Sequence, residues 1–369
     1  MRVEVRTICT FSNNYGQKLQ IYALQNQLNL HGIKTIVKSN NYPVIRVTFS
    51  RLIKAFRLIN WINLIKRKRK EKLSSVQTYN SAKSMSDFVE KYKTDCREFV
   101  ADGVIVGSDQ VWNYGGNSGK NFINFLKFYF LKDMSENTIK ISYAASWGSA
   151  NPKGRYAKRI AECLKDFDYV SVREKDGIDK CRACGRDDAV VVPDPTLLLQ
   201  PDDYRELYKN EEFSGEEEPY VFFYYLDNGG KFNKQSVFDW AASKGLKVIY
   251  VTANGVLDDY EKCYPTIPQW IWLVEHAEYV VTNSYHGTIF SLLFERKFGS
   301  IMLNGENEGM NSRFDTLWEI CNVSPRIIDG SDFSTLEKPA EKIEVDYTES
   351  DKLWTKLKQW DEEINGDKS

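Results

Sequence analysis

The chain has 369 residues, of which 42% are hydrophobic and 14% aromatic, and a net charge of −1. That length calls for more than one core, so two globular domains are expected, and the composition excludes a disordered chain. The near-zero charge offers no basic field for nucleic acid, and no apolar run is long enough to span a bilayer.

Seven scattered cysteines suit free thiols in a reducing cytoplasm better than a disulfide framework. Residues 3–11 read as a strand entered directly from Met1, without the pattern of a signal peptide. Turn residues follow, and Ile21, Leu24 and Leu28 share one face of a helix predicted over 17–30. Gly32 stops it, and 33–37 is the next strand. The polar crest of this βαβ unit, with Asn13, Asn14 and Gly16, is either a plain strand–helix turn or a ligand loop.

Residues 46–72 break the rhythm with ten Lys or Arg against one acid, while Phe49, Leu52, Ile53, Phe56 and Ile59 share a helical face. Such a basic amphipathic insertion either makes peripheral contact with the anionic inner membrane or is a solvated helix on the core. Residues 104–106 then form a buried strand with Ser108, Asp109 and Gln110 at its carboxyl end and Trp112 just beyond. Hydroxyl, amide and aromatic plate together suit a sugar, and a helix cap beside a core Trp is the plainer alternative.

Another strand covers 140–146. Strand 169–172 leads to Arg173 and Glu174, where Arg173 can clamp a carboxylate or phosphate, or pair with Glu174 or Asp176. Cys181 and Cys184 have C-x-x-C spacing, but no second Cys or His pair lies near to complete a metal site. Strand 189–192 is broken by Pro193-Asp-Pro195. The acidic stretch 200–218 reads as the connection between domains.

After it come strand 220–226, helix 231–243, strand 246–252, helix 268–276 and strand 278–282. Ser284, Tyr285, His286 and Gly287 stand between that last strand and the helical spacing of Ile289, Leu292 and Leu293. The free N–H groups of a helix N-terminus there favour an anion. Strand 298–303 precedes a helix bearing Arg313, a further candidate for anion charge, and 349–364 is a last helix packing back on the first domain. The fold class predicted is α/β, two Rossmann-like domains (1–199 and 219–348) facing a central cleft, with 349–369 as the returning segment.

Six motifs recur in order: Asn14-Tyr-Gly-Gln-Lys-Leu-Gln-Ile-Tyr-Ala-Leu-Gln25, Val106-Gly-Ser-Asp-Gln-Val-Trp-Asn113, Ile141-Ser-Tyr-Ala-Ala-Ser146, Ser171-Val-Arg-Glu174, Asp194-Pro-Thr-Leu-Leu198 and Asn283-Ser-Tyr-His-Gly287. Their order and spacing resemble the polysaccharide pyruvyl transferase family over most of the chain. The resemblance implies a GT-B-like fold and transfer of a pyruvyl group from phosphoenolpyruvate to a sugar, giving a cyclic ketal and phosphate. It implies an acceptor in a bacterial capsule, exopolysaccharide or cell-wall glycan, or its lipid-linked oligosaccharide precursor. The thiols point to the cytoplasm, and 46–72 to peripheral contact with the cytoplasmic face of the inner membrane as one of its two readings.

By the same resemblance the second domain is the donor side, where His286 serves donor binding and catalysis beside Ser284, Tyr285 and Gly287. Arg173 corresponds to a donor-binding Arg. On the acceptor side the expectation falls on Asn14, Tyr15, Gln17, Ser108, Gln110 and Trp112, with Asp109 as the base by its position. No metal-ligand cluster is evident, so no metal and no cofactor are expected beyond phosphoenolpyruvate as donor substrate. The competing readings are a GT-B sugar-nucleotide glycosyltransferase, on the same architecture, and a non-catalytic glycan-binding protein, on Trp112 and the basic segment.

Overall fold

The computed structural model describes residues 1–8, 14–39, 99–115, 117–211, 218–226, 232–253, 256 and 258–366. The basic segment 46–72 lies outside them. The first half contains β1 (Arg2–Thr7), α1 (Tyr15–Leu30), β2 (Lys34–Ser39), β3 (Gly103–Val106), α2 (Gly119–Tyr129), β4 (Ile139–Ala145), α3 (Gly154–Leu164), β5 (Tyr169–Val172), α4 (Asp176–Ala183) and β6 (Val190–Val191). Its six strands pair in parallel in the order β2-β1-β3-β4-β5-β6. The chain leaves β1 towards β2 and returns to β3 on the other flank. A crevice therefore opens at the carboxyl ends of β1 and β3, the point where open α/β sheets collect ligands.

A short helix, α5 (Pro201–Arg205), follows. The second half contains β7 (Tyr220–Tyr225), α6 (Gln235–Ser243), β8 (Lys247–Thr252), α7 (Ile267–Glu275), β9 (Tyr279–Thr282), α8 (Tyr285–Leu293), β10 (Lys297–Ile301), α9 (Ser312–Ile320) and β11 (Ile327–Ile328). Its strands are parallel in the order β11-β10-β9-β7-β8, which places the equivalent switch between β7 and β9. The fold is thus α/β with two parallel sheets, each with its own switch point.

Buried parallel strands read as continuous apolar runs because both faces are covered. In β7 every residue is buried, and the twofold period sends Tyr220, Phe222 and Tyr224 into one core and Val221, Phe223 and Tyr225 into another. Helix α1 is likewise buried on two sides. Ile21, Leu24 and Leu28 pack with Val3 and Val5 of the first sheet, whereas Tyr15, Leu19, Tyr22 and Ala23 join the core built from α7 and α8. The two halves therefore share apolar interior through one helix.

The last helix, α10 (Thr348–Gly366), lays Leu353, Trp354 and Leu357 on the first-half core. Trp354 stacks on Tyr143 at 5.3 Å between centroids, and the Tyr143 hydroxyl lies 3.0 Å from Ser350 Oγ. Burying three such side chains is worth about 5–8 kcal/mol as an upper figure.

Three differences from the sequence-based expectation stand out. Helices α2 and α3 are additional to it. Residues 200–211 are more than a connection: α5 carries a Gln200–Asp203 capping box, and its Tyr204 is buried with its hydroxyl donating to Thr196 O at 2.9 Å. Helix α8 begins at Tyr285, three residues before the helical spacing of apolar residues, which puts His286 in its first turn. Among the described residues no helix is long and apolar enough to cross a membrane.

Candidate active site

The loops at the two switch points face one another across a cavity of about 350 Å³, at the lower end for small-molecule sites. The first half lines it with Asn14, Asp109, Gln110, Asn113, Ser149 and Arg173. The second supplies Leu226, Ser284, Tyr285, His286, Met310 and Arg313.

After β3 the backbone turns at Asp109, whose φ of 73° is in the left-handed region that Asp tolerates better than most residues. The turn is held because the Asp109 carbonyl accepts from Val111 N at 2.7 Å and Ser146 N at 3.1 Å. It leaves the carboxylate at the cavity wall, where Oδ2 accepts from Gln17 Nε2 at 2.9 Å. Beyond it, Asn113 Nδ2 donates to Gln110 Oε1 at 2.9 Å. Gly148 makes room for that amide pair, since a Cβ there would stand 2.6 Å from Gln110 Oε1 and 2.7 Å from Asn113 Nδ2.

From the other side, Ser284 caps α8 by accepting from Gly287 N at 3.3 Å, as Asn14 caps α1 by accepting from Gln17 N at 3.3 Å. Two helix N-termini thus face the cavity, and both favour negative charge in it. They approach closely: a Cβ on Gly16 would come within 2.1 Å of His286 Nδ1. Gly287 is equally constrained, its Cβ position being 2.5 Å from Thr282 Oγ1. Asn283 ties the rim together by accepting from Leu226 N at 2.8 Å.

Residues 14–303 match the sequence profile of the polysaccharide pyruvyl transferase family. The chain belongs to that family. It is therefore a transferase. No protein of curated function matches its sequence. Among solved structures the chain is similar to the UDP-GlcNAc 2-epimerase of Neisseria meningitidis at 11% identity and TM-score 0.47, over 91% of this chain and 89% of that one. The corresponding epimerase of Methanocaldococcus jannaschii gives 10% identity and TM-score 0.45 over 91% of both chains. The E. coli heptosyltransferase WaaC gives 10% and 0.34 over 84% of this chain and 90% of that one.

The cavity brings together most of the residues singled out from sequence, but not all. Asn14, Asp109, Gln110, Arg173, Ser284, Tyr285, His286 and Arg313 line it. Gln17 stands behind Asp109, and Gly287 contributes backbone only. Trp112 requires correction: it is fully buried, stacked on Phe130 and donating to Tyr129 O at 3.0 Å, so it offers no face to a sugar. Tyr15 is also fully buried, stacked on Trp270 with its hydroxyl on Pro265 O at 2.8 Å. Ser108 is buried beneath the wall and donates to Asp194 Oδ2 at 2.9 Å.

The two arginines differ in what they have to bind. Arg173 is spoken for: Nη1 donates to Asp194 Oδ2 at 3.0 Å and Nε to Glu174 Oε1 at 3.1 Å, not to Asp176. Burial opposes its charge, but Glu174, Tyr285, Asp194 and Asp109 more than offset this and push its pKa above the ordinary value. Arg313 is also buried, at 9% exposure, yet it makes no ion pair among the described residues and its Nε has no partner. Its company is the rings of Tyr285 and Phe314, 5.7 and 5.3 Å from the guanidinium carbon. Burial and then the Arg173 charge push its pKa down to about 10. Glu174 and Asp109 act against this shift without prevailing, and neither forms an ion pair with it.

Asp194 belongs to a sequence motif that by itself suggests no role for it, yet it is a hub behind the cavity. It takes Arg173 and Ser108 on one oxygen, with His286 Nε2 at 3.5 Å. The only local signal is an acid between two prolines after a strand. Among the described residues no group of three or more His, Cys, Asp or Glu could hold a metal.

Proposed function

We propose that this enzyme transfers the pyruvyl group of phosphoenolpyruvate to a sugar of a bacterial capsular polysaccharide or exopolysaccharide, or of its lipid-linked precursor. Arg313, a buried guanidinium lining the cavity without an ion pair among the described residues, is the observation that carries this reading. Phosphoenolpyruvate offers a carboxylate and a phosphate, and two facing helix N-termini with Arg313 form a pocket of matching sign. The amides of Asn14, Gln110 and Asn113, with Ser149, suit the hydroxyls of a neutral sugar.

The chemistry asks little else of the protein. A sugar oxygen adds to C2 of the enolpyruvyl group as its hydroxyl proton leaves, and C3 takes a proton to become methyl. The second hydroxyl then replaces phosphate, its proton leaving with that group. Asp109 or His286 can take the first proton, both being at the cavity wall. The free thiols Cys163, Cys181, Cys184, Cys263 and Cys321 support a reducing cytoplasmic setting.

The test is incubation with phosphoenolpyruvate and a panel of lipid-linked galactoside and mannoside acceptors. Expected are released phosphate and an acceptor heavier by one pyruvate ketal. Thermal stabilisation by nucleotide sugars and not by phosphoenolpyruvate would overturn the reading in favour of a glycosyltransferase.

A further inference from the structure

The two ring nitrogens of His286 have unlike surroundings. Nε2 is buried, makes no hydrogen bond and lies 3.5 Å from Asp194 Oδ2. Nδ1 lies beside Gly16, whose missing side chain gives it clearance, since a Cβ would intrude to 2.1 Å. Asp194 is itself wholly buried and firmly held. Its Oδ1 accepts from Thr196 N at 3.0 Å and Thr196 Oγ1 at 2.8 Å, and its Oδ2 from Ser108 and Arg173.

Burial alone would raise the Asp194 carboxyl, and a charged His286, Arg173 and the Thr196 amide lower it; with His286 neutral, the donors of Arg173, Ser108 and Thr196 remain to favour the carboxylate. It is therefore an ionised, acceptor-only group. A lone pair of His286 pointed at it is repelled, whereas an N–H is attracted. On the other side, the N-terminus of α1 presents positive dipole to Nδ1, which favours a lone pair there. Of the other charges nearby, Arg173 shares Asp194 Oδ2 with His286 and pairs with Glu174, while Asp109 and Arg313 line the same cavity.

We propose that Asp194 is a positioning residue that fixes His286 as its Nε2–H tautomer, so that Nδ1 is the nitrogen that meets the substrate. The inference deepens the pyruvyl-transfer reading and rests on it for its catalytic part. Nδ1 takes the proton of the attacking sugar hydroxyl as its oxygen bonds to C2. The π pair of the enolpyruvyl double bond moves to C3, which takes that same proton back from Nδ1. His286 is neutral before and after, and Asp194 keeps its charge throughout.

The test is long-range 1H–15N correlation of the full-length protein at alkaline pH, where imidazoles are neutral. Three histidines make the spectrum simple, and His286→Gln assigns the third signal. The expected result is the Nε2–H pattern for His286, shifting towards Nδ1–H in Asp194→Asn. In the ketal assay, Asp194→Asn should lower kcat on the order of 100-fold with KM for phosphoenolpyruvate within about threefold, and the double variant should be no slower than His286→Gln alone. An Nδ1–H pattern in the unaltered protein, or additive losses, overturns the proposal. The spectrum needs no substrate, so it tests the tautomer independently of pyruvyl transfer, and the unaltered protein suffices for it even if Asp194→Asn does not fold.

Discussion

Replacing Arg313 by Met should make the free protein more stable and deaf to its donor. The fall of the Arg313 pKa from the ordinary guanidinium value to about 10 corresponds to a penalty of about 3 kcal/mol on its charged form. The rings of Tyr285 and Phe314 return about 0.5–1 kcal/mol each. Met keeps the apolar stem and loses both effects, for a net gain of about 1–2 kcal/mol and a Tm higher by roughly 1–3 °C. The sign follows from linkage: the unfolded Arg holds its proton more tightly, so the penalty is complete below pH 10 and fades only as pH rises from there towards the ordinary guanidinium value.

Differential scanning calorimetry at neutral pH, with and without phosphoenolpyruvate, reads both consequences. In the parent enzyme, donor at a hundredfold over its Kd should add about 2.7 kcal/mol, and in Arg313→Met that increment should vanish. A variant that melts lower than its parent and is still protected by phosphoenolpyruvate would refute the reasoning on both counts.

Other expectations concern packing and charge. Gly16→Ala drives a methyl into His286 Nδ1, so ketal formation should fall by more than about 100-fold, with about 1–3 kcal/mol lost in denaturant unfolding. Trp112→Ala should cost about 3–5 kcal/mol of stability, whereas Trp112→Phe, if folded, should leave the acceptor KM unchanged; a raised KM would restore Trp112 to the sugar site. Asp258 is partly buried, which raises its pKa, but Lys234 and Lys262 prevail and lower it. Its stabilising contribution is therefore present above the ordinary carboxyl range and lost as pH falls through its lowered pKa, so Asp258→Asn should lower Tm at pH 7 and approach its parent as the solution is acidified past that point.

How much of the fold and site is legible in the sequence depends on the range of the interactions. Parallel strands such as β3 and β7 announce themselves as short apolar runs, because burial on both faces is a property of the segment itself. The polar groups at their carboxyl ends, Asp109 and Ser284 among them, can be placed for the same reason. Helix α2 is hidden by the glycines and asparagines before it, although Phe122, Phe125, Leu126 and Tyr129 share its buried face. Trp112 cannot be assigned from its loop, because Phe130 and Trp147, which claim its ring, lie far along the chain. Asp194 reads as a turn between prolines, and the meeting of Gly16 with His286 joins the two halves with no local trace.

The return of α10 to the first sheet has a consequence for synthesis. Helix α1 covers Val3 and Val5 early, but the ring and hydroxyl of Tyr143 stay without Trp354 and Ser350 until α10 has left the ribosome, after the whole second half has been made. A nascent chain halted before Thr348 should therefore bind an apolar dye and chaperones that hold exposed apolar segments, even with its second sheet already folded. The first domain to be translated is the last to be completed.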